Sequence, residues 1–186
     1  MGRLMYVTGN AMKFRLASVV CESFAISLEQ ATANIVEIQA ENSEPIAQDK
    51  ADKAFAIFQK PLVVSDDSWM IPGLQGFPGP YMKYVNDWFS LEDWLHLTRD
   101  LPDRTIILRQ IVVYKDAHVR QLFSVDIPGI LLTEPRGTAP DPHNTLVSFD
   151  GGKHSSAEYH EQGKSAAAHR HTPWHEFAAW HKEKNL

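Results

Sequence analysis

A single cysteine, Cys21, stands in the 186 residues, so no intramolecular disulfide is available. It falls on the apolar side of a predicted helix, where a small thiol serves as core. Long apolar runs are missing too: none reaches the roughly 20 residues that span a bilayer. Met1 to Asn10 carries no cleavage-site pattern. The expectation is a cytoplasmic protein without membrane attachment. An excess of basic residues is also lacking, since 18 Lys and Arg face 23 Asp and Glu for a net charge of -5. That balance excludes a protein built to coat a nucleic-acid polymer, which needs clustered cations to release counterions. Local convergence of a few cations on a small anion remains open.

Internal repeats and low-complexity segments are absent, while 44% hydrophobic and 22% charged residues are ordinary for a globular chain. The length fits one domain, 1–186, with two lobes. Leu4 to Thr8 reads as a strand leading through Gly9-Asn10 into a helix with Met12, Leu16, Val19 and Val20 on one face. Strands are expected at Phe24 to Leu28 and Ile35 to Ile38, and a helix from Pro45 to Gln59. Leu62 to Ser65 reads as a short strand entering Asp66-Asp67-Ser68. Tyr81 to His96 is helical, broken near Ser90. Thr105–Tyr114 and Val119–Val125 form a hairpin, Gly129 to Thr133 another strand, and Pro173 opens a last helix. The pattern predicts an α/β fold with an elongated mixed sheet and helical lobes.

Four clusters carry chemistry. Thr8-Gly9-Asn10 with Lys13 joins a strand to a helix N-terminus, which offers backbone N–H groups to an anion. Read alone, it is first an ordinary turn with Asn10 as cap and Lys13 in solvent. Asp66-Asp67, with Glu37, Glu41 and Glu44 at a distance, suits magnesium, a hard cation that takes one or two carboxylates and leaves other positions to water and phosphate. Phe77-Pro78-Gly79-Pro80-Tyr81-Met82-Lys83 sets a turn before a helix bearing Lys83. Ala157-Glu158, Lys164 and Ala168-His169-Arg170 supply donors for phosphates or a purine edge. Nine histidines raise the alternative of a zinc protein, but Pro173 lies between His171 and His175 and no acidic residue stands directly after His171, so a metalloprotease pattern is missing.

Taken in order, these clusters resemble the inosine triphosphate pyrophosphatase (Ham1-like) family, whose pattern runs TGNxxK, an acidic position, an acidic pair, PGPYxKW or a variant, AE, K and SHR. The resemblance implies the two-lobed α/β fold shared with Maf proteins, a homodimer, Mg²⁺, and cleavage of a nucleoside triphosphate to monophosphate and pyrophosphate. It implies that Thr8, Asn10, Lys13 and Lys83 bind the polyphosphate and that Glu37 and Asp67 hold metal. Asp66 or Asp67 would orient water, and Lys164, His169 and Arg170 would read a deaminated purine. Two departures stand out. Thr138-Ala139-Pro140 precedes Asp141-Pro142 where the family has an aromatic-Gly-Trp or -Tyr step, leaving Phe149, Trp174 or Trp69 as stacking candidates. The family's SHR is here Ala168-His169-Arg170. A Maf-like enzyme of other base preference and a catalytically silent nucleotide-binding protein are the competing readings.

Overall fold

A computed structural model describes residues 3–164 and 171–184. The elements run β1 (Leu4–Val7), α1 (Ala11–Ser23), β2 (Leu28–Ala31), α2 (Ser43–Phe58), β3 (Leu62–Met70), β4 (Pro78–Gly79), α3 (Met82–Trp88), α4 (Leu91–Thr98), β5 (Thr105–Lys115), β6 (Arg120–Leu131), β7 (Val147–Ser148), α5 (Ser156–Glu161) and α6 (Pro173–Lys184). The strands form a seven-stranded sheet in the order β2-β1-β3-β5-β6-β7, with β4 on β3. β1 pairs in parallel with β2 and β3, whereas β4 on β3 and β7 on β6 are antiparallel.

The chain divides into two compact units. The first holds the residues up to Asp67, Gln110–Val125 and the segment from His171; the second holds Ser68–Arg109 and the stretch from Asp126. In the first unit, period-two alternation sorts the strand side chains between two cores. Leu4, Tyr6, Val63, Val112 and Tyr114 pack with Ala17 and Cys21 of α1 and Trp174, Phe177 and Ala178 of α6. Met5, Val7, Leu62, Val64, Ile111 and Val113 pack on Ala47, Ala51 and Ala54 of α2. Covered on both faces, these strands read as unbroken apolar runs, as parallel strands do.

An aspartate closes the turn between β5 and β6. Asp116 accepts from the N–H groups of His118 and Val119, from the Tyr114 hydroxyl and from Lys184 Nζ, tying α6 to the hairpin. In the second unit, Ser90 and Ser155 start α4 and α5 with reciprocal capping boxes. Gly137 (φ 70°) passes so close to α5 that a Cβ would meet the Glu158 backbone nitrogen at 2.9 Å.

Several expectations need correction. No strand forms at 35–38, where Val36 and Ile38 are exposed. Phe24 caps α1 and Ala25 takes the left-handed conformation, so the second strand starts later, at Leu28. Val19 is exposed, because the buried stripe of α1 runs through Ala17 and Cys21. Residues 129–131 continue β6 rather than forming a new strand, and β3 carries on through Asp66-Asp67 to Met70.

His143 is buried in the second unit against Trp69 and Trp94, its Nδ1–H donating to Asn86 Oδ1 at 3.0 Å. Burial, with a smaller contribution from the charge of His160, pushes its pKa down to about 3. Between that value and the ordinary 6.5 the unfolded chain holds a proton that the folded chain does not. The stability His143 contributes is therefore whole above pH 6.5 and declines as pH falls. Urea titrations should show stability falling between pH 6.5 and 5, with His143→Gln removing up to about 1.4 kcal/mol per pH unit of that slope. An unchanged slope in the variant would contradict this. His160 and His181, whose pKa values are also lowered, first of all by burial, retain the remainder.

Candidate functional site

The C-terminal end of β1 opens into a cleft of about 290 Å³ in the first unit, lined by Val7, Thr8, Gly9, Asn10, Lys13, Ala33, Ile35, Glu37, Lys50 and Ser65. The loop is held from within. Asn10 caps α1, its Oδ1 accepting from the N–H groups of Met12 (2.9 Å) and Lys13 (3.0 Å), and Thr8 Oγ1 accepts from Asn10 N–H at 3.1 Å. Gln30 Nε2 fixes the Thr8 carbonyl. The helix therefore spends two of its first donors on its own cap. The N–H groups of Gly9 and Ala11 have no partner among the described residues. A Cβ at Gly9 would meet nothing within 4 Å, so the backbone itself borders open space there.

Two ion pairs border the cleft. Lys13 Nζ sits 2.9 Å from Asp67 Oδ2, with side-chain exposures of 32% and 26%, so an incoming ligand can reach either partner. Lys50 Nζ sits 2.7 Å from Glu37 Oε1. Burial pulls the Lys13 pKa down but is outweighed by Asp67, Tyr6 and Asp66, leaving it raised and the ammonium firmly charged. Burial is the leading cause that raises the Asp66 pKa, with Glu37 and Asp67 acting in the same direction against Lys50 and Lys13.

Each of the adjacent aspartates has a different lysine as its main counter-charge. On β3, Leu62 and Val64 face α2 while Val63 faces α1 and α6. Continued by the same alternation, Asp66 falls on the α2 side, where Lys50 is the strongest charge it feels, and Asp67 falls on the α1 side with Lys13. Asp66 Oδ1 also accepts the Asp67 N–H at 3.0 Å.

The structure thus brings Thr8, Asn10, Lys13 and Glu37 to one cleft, with Asp67 on Lys13 and Asp66 within their electrostatic reach. Lys83 on α3 and Lys164 after α5 belong to the second unit; both are exposed, and Lys164 Nζ contacts Gln162 Oε1. His169 and Arg170 lie outside the described residues. Glu158 serves as the capping-box acid of α5. Among the described residues no group of three or more His, Cys, Asp or Glu gathers as a metal site. The sequence reading missed Lys50 and Ser65. Lys50 had a legible signal, a cation on α2 three residues from Ala47 and one before Ala51 on the buried stripe.

Comparison with known proteins places this geometry in context. The model of the Ham1 family matches residues 4–180. A dITP/XTP pyrophosphatase of Saccharolobus solfataricus is 28% identical over 172 residues, 92% of this chain and 90% of that protein. One from Methanosarcina acetivorans is 28% identical over 185 residues, covering 99% and 100%. Among solved structures, a HAM1 protein from Coxiella burnetii aligns with TM-score 0.80 at 16% identity over 98% of this chain and all of that one. The Staphylococcus aureus Ham1 protein aligns with TM-score 0.76 at 15% identity and the same coverage.

The open space at Gly9 yields a prediction. Gly9→Ala should leave stability within about 1 kcal/mol of wild type, since its φ lies outside the positive range and the methyl clashes with nothing. The added methyl projects to where a ligand would approach the backbone, so tripolyphosphate affinity by calorimetry should fall about fivefold or more. A loss of stability with affinity unchanged would show that the loop is only a structural turn.

Proposed function

The chain belongs to the Ham1 family, and from that premise we propose that it hydrolyses deaminated purine nucleoside triphosphates such as ITP, dITP and XTP to monophosphate and pyrophosphate. The observation that carries the reading is the pair of lysine–carboxylate contacts, Lys13–Asp67 and Lys50–Glu37, on a cleft that also exposes the Thr8-Gly9-Asn10 backbone. The names of the dITP/XTP pyrophosphatase relatives support the substrate class.

On this reading an arriving polyphosphate exchanges partners with both pairs. Lys13 and Lys50 turn from their carboxylates to phosphate oxygens, while the backbone at Gly9 and the side chains of Thr8 and Asn10 frame the same group. The exchange frees Glu37 and Asp67, and two carboxylates are the number magnesium commonly takes from a protein. The donor set therefore fits Mg²⁺ held by Glu37 and Asp67, and when bound the ion supplies charge screening and Lewis acidity at the α phosphate. Asp66, whose proton affinity burial raises, is the carboxylate suited to orient the attacking water and take its proton. Attack at the α phosphorus breaks the α–β bridge, the water oxygen stays on the monophosphate, and pyrophosphate leaves. The family resemblance assigns Lys83 to the polyphosphate, and Lys164, His169 and Arg170 to reading the base. The proposal extends to a cytoplasmic homodimer with no nucleic-acid polymer or membrane as partner. Among the described residues no helix is long and apolar enough to cross a membrane.

Product analysis should give monophosphate and pyrophosphate, with activity lost in excess chelator and restored by Mg²⁺. Asp67→Asn should lower kcat far more than it lowers stability, and Lys13→Ala should reduce kcat/KM about 10- to 100-fold, the worth of a charge-assisted contact of about 1.5–3 kcal/mol. Orthophosphate as sole product, or full turnover in chelator, would overturn the reaction. kcat/KM for ITP should exceed that for ATP, and Arg170→Ala should shrink the ratio. An unaltered ratio would remove Arg170 from base selection.

A further inference from the structure

Beneath the cleft lies a polar contact that the mechanism above leaves unused. Tyr6 is fully buried, its ring packed against Phe14 and edge-on to Trp174, yet its hydroxyl meets Ser65 Oγ at 2.5 Å. Ser65 is itself only 9% exposed, but it is one of the residues lining the cleft. Tyr6 and Ser65 stand on neighbouring parallel strands, with Tyr6 opposite Val63 in register, so Ser65 lies two residues beyond on the same face as Asp67.

Stability gives no reason for this pair. A phenylalanine against an alanine would fill nearly the same volume, and exchanging both partners of a buried hydrogen bond for apolar groups of like shape is close to neutral. What the hydroxyls add is direction. If the phenol donates to Ser65 Oγ, the serine proton is left over, and Ser65 Oγ makes no other hydrogen bond among the described residues. That proton faces a cleft bordered by two ammoniums, where the fitting ligand is an anion. Burial raises the phenol's pKa, against Lys13 and the hydroxyls of Ser65 and Thr8, so the phenol stays protonated and able to donate. Donation by Tyr6 also polarises the serine hydroxyl and strengthens the bond it makes in turn.

We infer that Ser65 is a further phosphate-binding residue of this cleft and that Tyr6 is its positioning residue, the phenol aiming the serine O–H at a phosphate oxygen. The inference rests on the pyrophosphatase reading and adds to it a donor from β3. Because the contact is made to the ground-state polyphosphate as well as to the transition state, its loss raises KM and leaves kcat nearly unchanged.

The test compares full-length wild type, Ser65→Ala, Tyr6→Phe and the double variant, by steady-state kinetics, calorimetry with inorganic pyrophosphate, and thermal denaturation. Each single variant should lose thermal stability, because it strands one buried hydroxyl. The double variant should melt within about 3 °C of wild type. It should nevertheless keep a KM and a pyrophosphate Kd raised about tenfold, with kcat within about twofold of wild type. Recovery of KM and Kd together with stability would make the pair purely structural and overturn the inference. Should the double variant fail to fold, Ser65→Thr and Ser65→Val decide the matter, being alike in shape and differing in the hydroxyl: equal pyrophosphate affinity in the two would overturn it, and about tenfold weaker binding by the valine variant would support it. A wild type that turns over no nucleoside triphosphate would sink the pyrophosphatase reading, and the pyrophosphate affinities would still decide the role of Ser65.

Discussion

The alternation of β3 is the constraint on which the cleft depends. A strand carries successive side chains to opposite faces, and β3 is covered by helices on both. Leu62 and Val64 anchor it to α2, while Val63 anchors it to α1 and α6. With those residues fixed, Ser65, Asp66 and Asp67 have no freedom of side. A one-residue slip in register would exchange Val63 with its neighbours and carry Asp67 away from Lys13. The apolar half of one strand thus sets the position of the charges at its other end.

The charges that follow are matched locally. Lys13 lies one turn into a helix whose start Asn10 and Thr8 hold fixed, and it meets Asp67. Lys50 rises from the small-residue stripe of α2 and meets Glu37, which a stretch without regular structure carries back to the cleft. Partly exposed pairs of this kind contribute little to stability, about 0–1 kcal/mol each. Their value in the free protein is that each ammonium and carboxylate already stands in place, so a ligand exchanges partners without ordering the side chains anew.

Much of this was legible in the chain. The strand, turn and helix through Thr8-Gly9-Asn10 carried its own signals in an apolar run, a glycine and a capping residue, and Pro173 at the first position of α6 marked that helix start. The order of weak motifs pointed to the family, where each fragment alone predicted only a turn or a cap. What the sequence hid was tertiary. Ile35 to Ile38 has the composition of a strand, but Val36 and Ile38 face solvent and the segment pairs with no strand among the described residues. Which lysine each of Asp66 and Asp67 faces is not legible from their adjacency in sequence. Lys50 and Ser65 were missed because a lysine on a helix and a serine in a strand are commonplace, and only the folded chain turns them to the same cleft.

Charge supplies the last step. The lysines at the cleft, Lys13 and Lys50, face the carboxylates of Glu37, Asp66 and Asp67, in a chain whose net charge is already negative. A triphosphate gains each ammonium only by leaving a carboxylate without its partner, and uncompensated charge in a partly desolvated cleft is costly, so its attraction is weaker than two lysines alone would supply. On the proposed reading, positive charge arrives with the substrate: a divalent cation held by the freed carboxylates would offset the loss with hard oxygen ligands on both sides, protein and phosphate. The same carboxylates that weaken the hold on a bare anion would strengthen it on a metal-bound one, which is how an acidic protein could prefer a cation–polyphosphate complex to the polyphosphate by itself.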